Sequence, residues 1–236
     1  MITWLSDYHH TFPPVSQATP RGVLAAGGDL HPDRLLRAYR EGIFPWYNHP
    51  GPIVWHAPDP RFVLFPEELK VHKSMRSYFN QKKYALSCDR YFPQVMAACG
   101  QVPRYGQDGT WINDDMLEAY TTLHQRGVAH SIEVWEEDRL VGGLYGLAVG
   151  SVFFGESMFH LRPNASKFGF IALVRMLRHH GFSLIDCQQR TQHLASLGGR
   201  GIPRSQFMEI LEETVGTPMS IDWPDLFVDE RWRQNK

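Results

Sequence analysis

Cysteine is scarce in this chain. There are three in 236 residues (Cys88, Cys99 and Cys187), an odd number without the paired spacing of a metal or redox motif. A disulfide scaffold is excluded, and a reduced, cytoplasmic compartment is expected. Long hydrophobic runs are also missing. No stretch approaches the roughly 18 apolar residues that a membrane-spanning helix needs, so no membrane partner is expected. The first residues, Met1 to Asp7, lack a basic segment followed by a continuous apolar one, so no secretory signal is expected. Nor does charge of one sign predominate: 24 lysines and arginines face 25 acids. Overall charge therefore offers no attraction for nucleic acid, and only a local patch can supply one. There is no His-Glu-x-x-His pair, no Walker loop and no Gly-x-Ser-x-Gly elbow. The glycine-rich Ser196–Gly201 lacks the lysine and hydroxyl that hold phosphate and magnesium. Nothing in the sequence implies a metal or a bound cofactor.

What is present reads as a globular protein, 43% apolar and 21% charged. The first sixty-odd residues are punctuated by Pro13-Pro14, Gly27-Gly28-Asp29, Pro50-Gly51-Pro52 and Ala57-Pro58-Asp59-Pro60. Only one helix fits there, with Pro32 at its first position, Leu35, Leu36 and Tyr39 on one stripe, and Gly42 at its end. We expect a small loop-rich N-terminal domain over 1–65 and a larger, more regular domain over 66–236.

In the larger part, Met116, Leu117, Tyr120 and Leu123 predict a helix over Asp114–Arg126, stopped at Gly127. Three strand-like runs, Ser131–Trp135, Leu140–Ala148 and Val152–Phe159, are separated by turns and predict an antiparallel meander. A helix over Lys167–His180, a short strand over Ser183–Cys187 and two further helices follow. The expected class is α+β, and meander–helix–strand is the order of acetyltransferase-like (GNAT-type) cores, an analogy that does not establish function.

Glu156 is the most unusual residue, a carboxylate in the apolar run Val152–Phe159. Period-two alternation sets it on the face of Val152, Phe154 and Met158. Burying it there is costly unless it is paired, so it is expected at the rim of an apolar pocket, the plainer alternative being an edge strand whose glutamate reaches water. Asp186 and Gln188 share one face if the strand runs through Gln188, and Asp186 capping the next turn is the alternative. Cys187 reads as a small buried thiol, because a nucleophile needs an electropositive, accessible setting. Trp46, Trp55 and Trp111 lie in turn-rich stretches, where aromatic faces can stack bases, although packing is the default for any one of them. Lys70 to Lys83 carries five lysines and arginines and no acid, with Lys73 and Arg76 one helical turn apart. Either an RNA-contacting patch or a solvated helix face explains it.

Six blocks in order then carry a resemblance: Gly27–Leu30, Gly42–Trp46, Ser131–Trp135, Phe154–Phe159, Asn164–Lys167 and Leu184–Gln188. Together they resemble the bacterial leucyl/phenylalanyl-tRNA–protein transferases over about Gly22 to Arg204. The resemblance implies a small N-terminal domain, an acetyltransferase-like C-terminal domain, and transfer of Leu, Phe or sometimes Met from tRNA. The implied acceptors are proteins beginning with Arg or Lys, which are thereby marked for N-end-rule degradation. It implies Asp186 and Gln188 as the catalytic pair, and Trp46, Trp111, Phe153, Glu156, Met158 and Ile185 around the aminoacyl-adenosine end. Leu144 and Phe170 stand where relatives often carry other apolar residues. Phe153, Met158, Leu173, Leu177 and Ile185 are expected to hold the transferred side chain, with Asp186 as base. Lys73, Arg76, Lys82 and Lys83 are the candidate phosphate contacts. The rivals are an acetyl-CoA-dependent N-acetyltransferase, disfavoured by the missing coenzyme A loop at His160–Gly169, and a tRNA-binding module without activity.

Overall fold

The computed structural model describes residues 2–48, 50–101, 112–217 and 219–233. Trp111, a candidate base-stacking residue, lies outside them.

Two sheets organise the chain. The smaller contains β1 (Thr3–Leu5), β2 (Val23–Gly27), β3 (Phe44–Pro45) and β4 (Val54–His56) in the order β1-β2-β4-β3. Between β2 and β3 runs α1 (Pro32–Arg40). His31 accepts the Asp33 N–H to open it, Pro32 fills the position whose N–H has no helical partner, and Gly42 at φ +74° turns the chain away.

The larger sheet contains β5 (Arg61–Leu64), β6 (Ala85–Cys88), β7 (Ala129–Glu136), β8 (Arg139–Val149), β9 (Val152–His160), β10 (Leu184–Asp186) and β11 (Arg200–Ile202), in the order β11-β5-β10-β9-β8-β7-β6. The expected meander is β7–β8–β9, antiparallel throughout. Among the described strand pairs of this sheet, only β9–β10 is parallel. β5 lies inside the segment expected to form the small domain, and it pairs with β10 and β11 of the larger sheet.

Helices cover both faces of this sheet, which is why its central strands read as apolar runs. α3 (Phe92–Gln101) and α4 (Asp114–Gln125) pack with Tyr145, Leu147 and Phe154 on one face, where Leu35 and Tyr39 of α1 join the same core. α2 (Lys73–Asn80) and α5 (Ala165–His179) pack with Leu144, Phe153 and Ile185 on the other. α6 (Gln192–Ser196) and α7 (Arg204–Thr214) follow β10. None of the described helices is long and apolar enough to cross a membrane.

Two irregularities shape what lies between β9 and β10. Tyr145 faces Ser157 while Gly146 faces Gly155, so Glu156 is an extra, unpaired residue in β9. This bulge reverses the alternation: Phe154 and Phe159 share one core, Phe153 and Met158 the other. The expected common face of Val152, Phe154, Glu156 and Met158 is thereby corrected. β10, for its part, ends at Asp186, paired with Phe154. Gln188 is no longer strand but adopts φ +60°.

Candidate active site

Beyond the last β9–β10 pair the sheet opens into a cavity of about 270 Å³. Its apolar wall comes from Leu144 of β8, Phe153 and Met158 of β9, Phe170 of α5, Ile185 of β10 and Leu194 of α6. The bulge contributes Gly155, Glu156 and Ser157, the end of β10 contributes Asp186 to Gln189, and Phe44, Pro45 and Trp46 close another side. Such a volume is at the small end for ligand sites and matches one amino-acid side chain better than a whole nucleotide.

Polar groups converge on one edge. Glu156 Oε1 accepts hydrogen bonds from the Tyr39 hydroxyl at 2.7 Å and from Gln188 Nε2 at 2.6 Å. The Tyr120 hydroxyl reaches Glu156 Oε2 at 3.4 Å and lies 2.5 Å from that of Tyr39. Burial pushes the Glu156 carboxyl up to about 7, aided by the charge of Asp186 and opposed by the tyrosine and glutamine hydrogen bonds. Burial and the Glu156 charge push both tyrosine hydroxyls well above their ordinary value, so both remain donors.

Asp186 is held differently. Arg61 Nε donates to its Oδ1 at 2.8 Å and Arg61 Nη2 to its Oδ2 at 2.6 Å, and both side chains are fully buried. The Gln188 N–H also donates to Oδ1, at 2.9 Å, forming the Asx turn in which Gln188 takes its left-handed conformation. With three hydrogen bonds and no exposure, this carboxylate anchors its neighbours. The Cys187 thiol, also at the cavity, is pushed up by burial and by Asp186, which keeps it protonated and a poor nucleophile.

Comparison with known proteins identifies the group to which this site belongs. A family model described as leucyl/phenylalanyl-tRNA protein transferase matches residues 63–212, and that of its N-terminal domain matches residues 28–59. The leucyl/phenylalanyl-tRNA–protein transferase of Ectopseudomonas mendocina is 52% identical over 225 residues, 94% of this chain and 99% of that protein. That of Pseudomonas entomophila is 54% identical over the same length and the same shares. The chain belongs to the leucyl/phenylalanyl-tRNA–protein transferase family. It is an aminoacyltransferase. Among solved structures, L-PGS from Bacillus licheniformis aligns at 11% identity over 65% of this chain and 56% of that chain, with a TM-score of 0.39, too slight a likeness to bear on the fold.

Within the transferase, most of the expected site residues meet. Trp46, Leu144, Phe153, Glu156, Met158, Phe170, Ile185, Asp186 and Gln188 all border the cavity. Leu173 and Leu177 do not. Both are completely buried in the core on the α5 side, spent on packing the helix against the sheet. Of the basic residues, Lys73 and Arg76 are exposed on α2, whereas Lys82 pairs with Glu230 at 3.4 Å and Lys83 with Glu136 at 3.0 Å. Trp55 is fully buried and donates to Gly27 O, a packing role.

Sequence reasoning missed Arg61, Tyr39, Tyr120 and Leu194. Arg61 left one trace, a lone charge opening the apolar run Arg61–Phe65. Gly155 left another, since an isolated glycine in a strand pattern signals a bulge.

Proposed function

We propose that this protein transfers Leu, Phe and less often Met from aminoacyl-tRNA to the N-terminal α-amine of proteins beginning with Arg or Lys, in the cytoplasm, marking them for N-end-rule degradation. One observation carries the reading: an apolar cavity of side-chain size has a carboxylate–amide pair, Glu156 and Gln188, on its rim. We also read the meander, α5 and β10 as an acetyltransferase-like core, on their order and on the opening between β9 and β10.

An aminoacyl ester is already activated, so no covalent enzyme intermediate is needed. The attacking α-amine has an ordinary pKa near 8 and arrives largely protonated. Glu156, half ionised near pH 7, is matched to take that proton, directly or through water, and general-base help of this kind is worth roughly 10²–10⁴-fold. The amine lone pair then forms the C–N bond at the ester carbonyl carbon. The C–O bond to the ribose breaks, the ribose oxygen takes a proton back from Glu156, and the new amide nitrogen releases its second proton to water. The products are an amide and a free hydroxyl.

Gln188 commits an N–H to Glu156, which leaves its carbonyl oxygen free to orient the incoming amine. Asp186 is assigned to fixing Gln188 and not to proton abstraction, because its oxygens are taken by Arg61 and by the Gln188 N–H. Trp46 supplies an aromatic face for the terminal adenosine of the donor. The apolar wall distinguishes side chains by only about 1–3 kcal/mol per methylene, which fits a donor set of Leu, Phe and Met.

The test is direct. The protein is incubated with charged tRNA and a peptide beginning with Arg, and the peptide is weighed. A gain of one leucyl, phenylalanyl or methionyl residue, blocked by acetylating the peptide N-terminus, is expected. No gain, or a gain from acetyl-CoA instead, refutes the reading.

A further inference from the structure

We propose that Arg61 is a positioning residue that holds two walls of the cavity in register, the Phe44–Trp46 wall and the Asp186–Gln188 wall. This rests on the transfer reaction above.

The guanidinium is completely buried, and every direction around it is occupied. One edge meets Asp186 through the two hydrogen bonds described, a fork-to-fork geometry that a lysine cannot reproduce. Its Nη1 donates to Gly42 O at 3.0 Å, at the turn leading into the Phe44–Trp46 wall. Its flat faces are covered by the rings of Phe44 at 4.7 Å and Phe207 at 4.6 Å. Phe44 itself lines the cavity, and Phe207 does not. One rigid group therefore touches the cavity wall on one side and, through Asp186, the Gln188 turn on the other.

Stability is a poor explanation for such a buried pair, because its desolvation offsets much of its attraction and apolar residues of similar volume commonly do as well. Geometry explains it better. Gln188 sits at φ +60°, unfavourable for a side chain with a Cβ, and it is held there by its N–H bond to Asp186 Oδ1 together with the Gln189 N–H bond to Cys187 O at 2.6 Å across it. Asp186 can only present that oxygen if its own carboxylate is fixed, and Arg61 fixes it.

The test is Arg61→Lys, which keeps the charge and loses the fork. In peptide transfer, kcat is expected to fall at least tenfold and KM for charged tRNA to rise severalfold. In a Gln188→Ala background the same change is expected to lower kcat by less than threefold, because the residue it positions is gone. A merely structural Arg61 gives the same loss in both backgrounds, and that additivity overturns the proposal. Hydrogen exchange reads the geometry without any activity. The Gln188 amide is expected to exchange at least tenfold faster in Arg61→Lys while the β8 amides keep their protection; an unchanged rate at Gln188 overturns the proposal even if the parent transfers nothing. If Arg61→Lys fails to fold, Phe207→Leu, which removes one covering ring and leaves the charges paired, is carried through the same measurements with the same signs expected.

Discussion

Glu156 and Gln188 are joined by a hydrogen bond of 2.6 Å, the amide donating to the carboxylate at the place where β9 bulges and β10 has just ended. The bond turns two strand irregularities into one chemical unit, because each residue is free of the ladder and can turn toward the cavity. What the unit does depends on the ionisation of Glu156.

That ionisation sets the pH profile. Burial raises the carboxyl to about 7, so it is neutral below that pH and ionised above it. Transfer, which needs the ionised form, is expected to rise as pH increases through about 7, and again as the acceptor amine deprotonates near pH 8. Glu156→Gln is expected to abolish the lower limb and leave the upper, at a rate reduced about 10²-fold or more. A two-limbed profile in the variant counts against Glu156 as base.

Tyr39→Phe removes a hydroxyl that donates to the Glu156 carboxylate and so favours its charged form. The lower limb is expected to move to higher pH, and Tyr120→Phe to move it less, since its bond is longer. Rates measured from pH 5 to 9 at saturating donor check this.

Asp186→Ala leaves Arg61 as an unpaired buried cation. A destabilisation of about 3–5 kcal/mol is expected, read as a lower midpoint in urea unfolding with an unchanged slope. A loss below 1 kcal/mol shows that the pair is hydrated or replaced.

Leu144→Phe reduces the cavity without adding charge. Transfer of Phe is expected to fall more steeply than transfer of Leu, by about tenfold in the ratio of kcat/KM values, because the larger side chain loses its room first. Competition between the two charged tRNAs measures that ratio.

Lys73 and Arg76 are exposed on α2, while Lys82 and Lys83 already face acids. If α2 lies along the tRNA backbone, Lys73→Ala and Arg76→Ala each lower the slope of log affinity against log salt by about 1, and the other two change it less. Slopes equal to that of the parent in all four variants make the patch solvated surface.

The candidate site was legible in part. Glu156, Asp186 and Gln188 stood out as polar groups in apolar runs, with Phe153, Met158 and Ile185 beside them, whereas Leu144 and Phe170 entered only through the resemblance to the family. Leu173 and Leu177 were read into the cavity from their place on one apolar stripe with Phe170; with nearly the whole helix buried, periodicity does not tell which residues face a hole and which face core. Tyr39 and Tyr120 were counted as members of apolar stripes, and a stripe does not reveal that two hydroxyl tips converge on a carboxylate 117 and 36 residues away.

The sequence by itself determined the local elements: α1 with its proline start and glycine stop, the β7–β8–β9 meander, α4, α5 and α7, each written in residues a few positions apart. Tertiary structure alone decided the cavity. It opens because the extra residue in β9 reverses the side-chain alternation and because β10 stops at Asp186, so the two strands part. Its shape is held by Arg61 and Asp186, 125 residues apart in the chain. A hydrogen-bonded turn or helix repeats at short range and leaves a periodic trace. An ion pair across the core depends on where the whole chain has folded and leaves only a single unexpected charge.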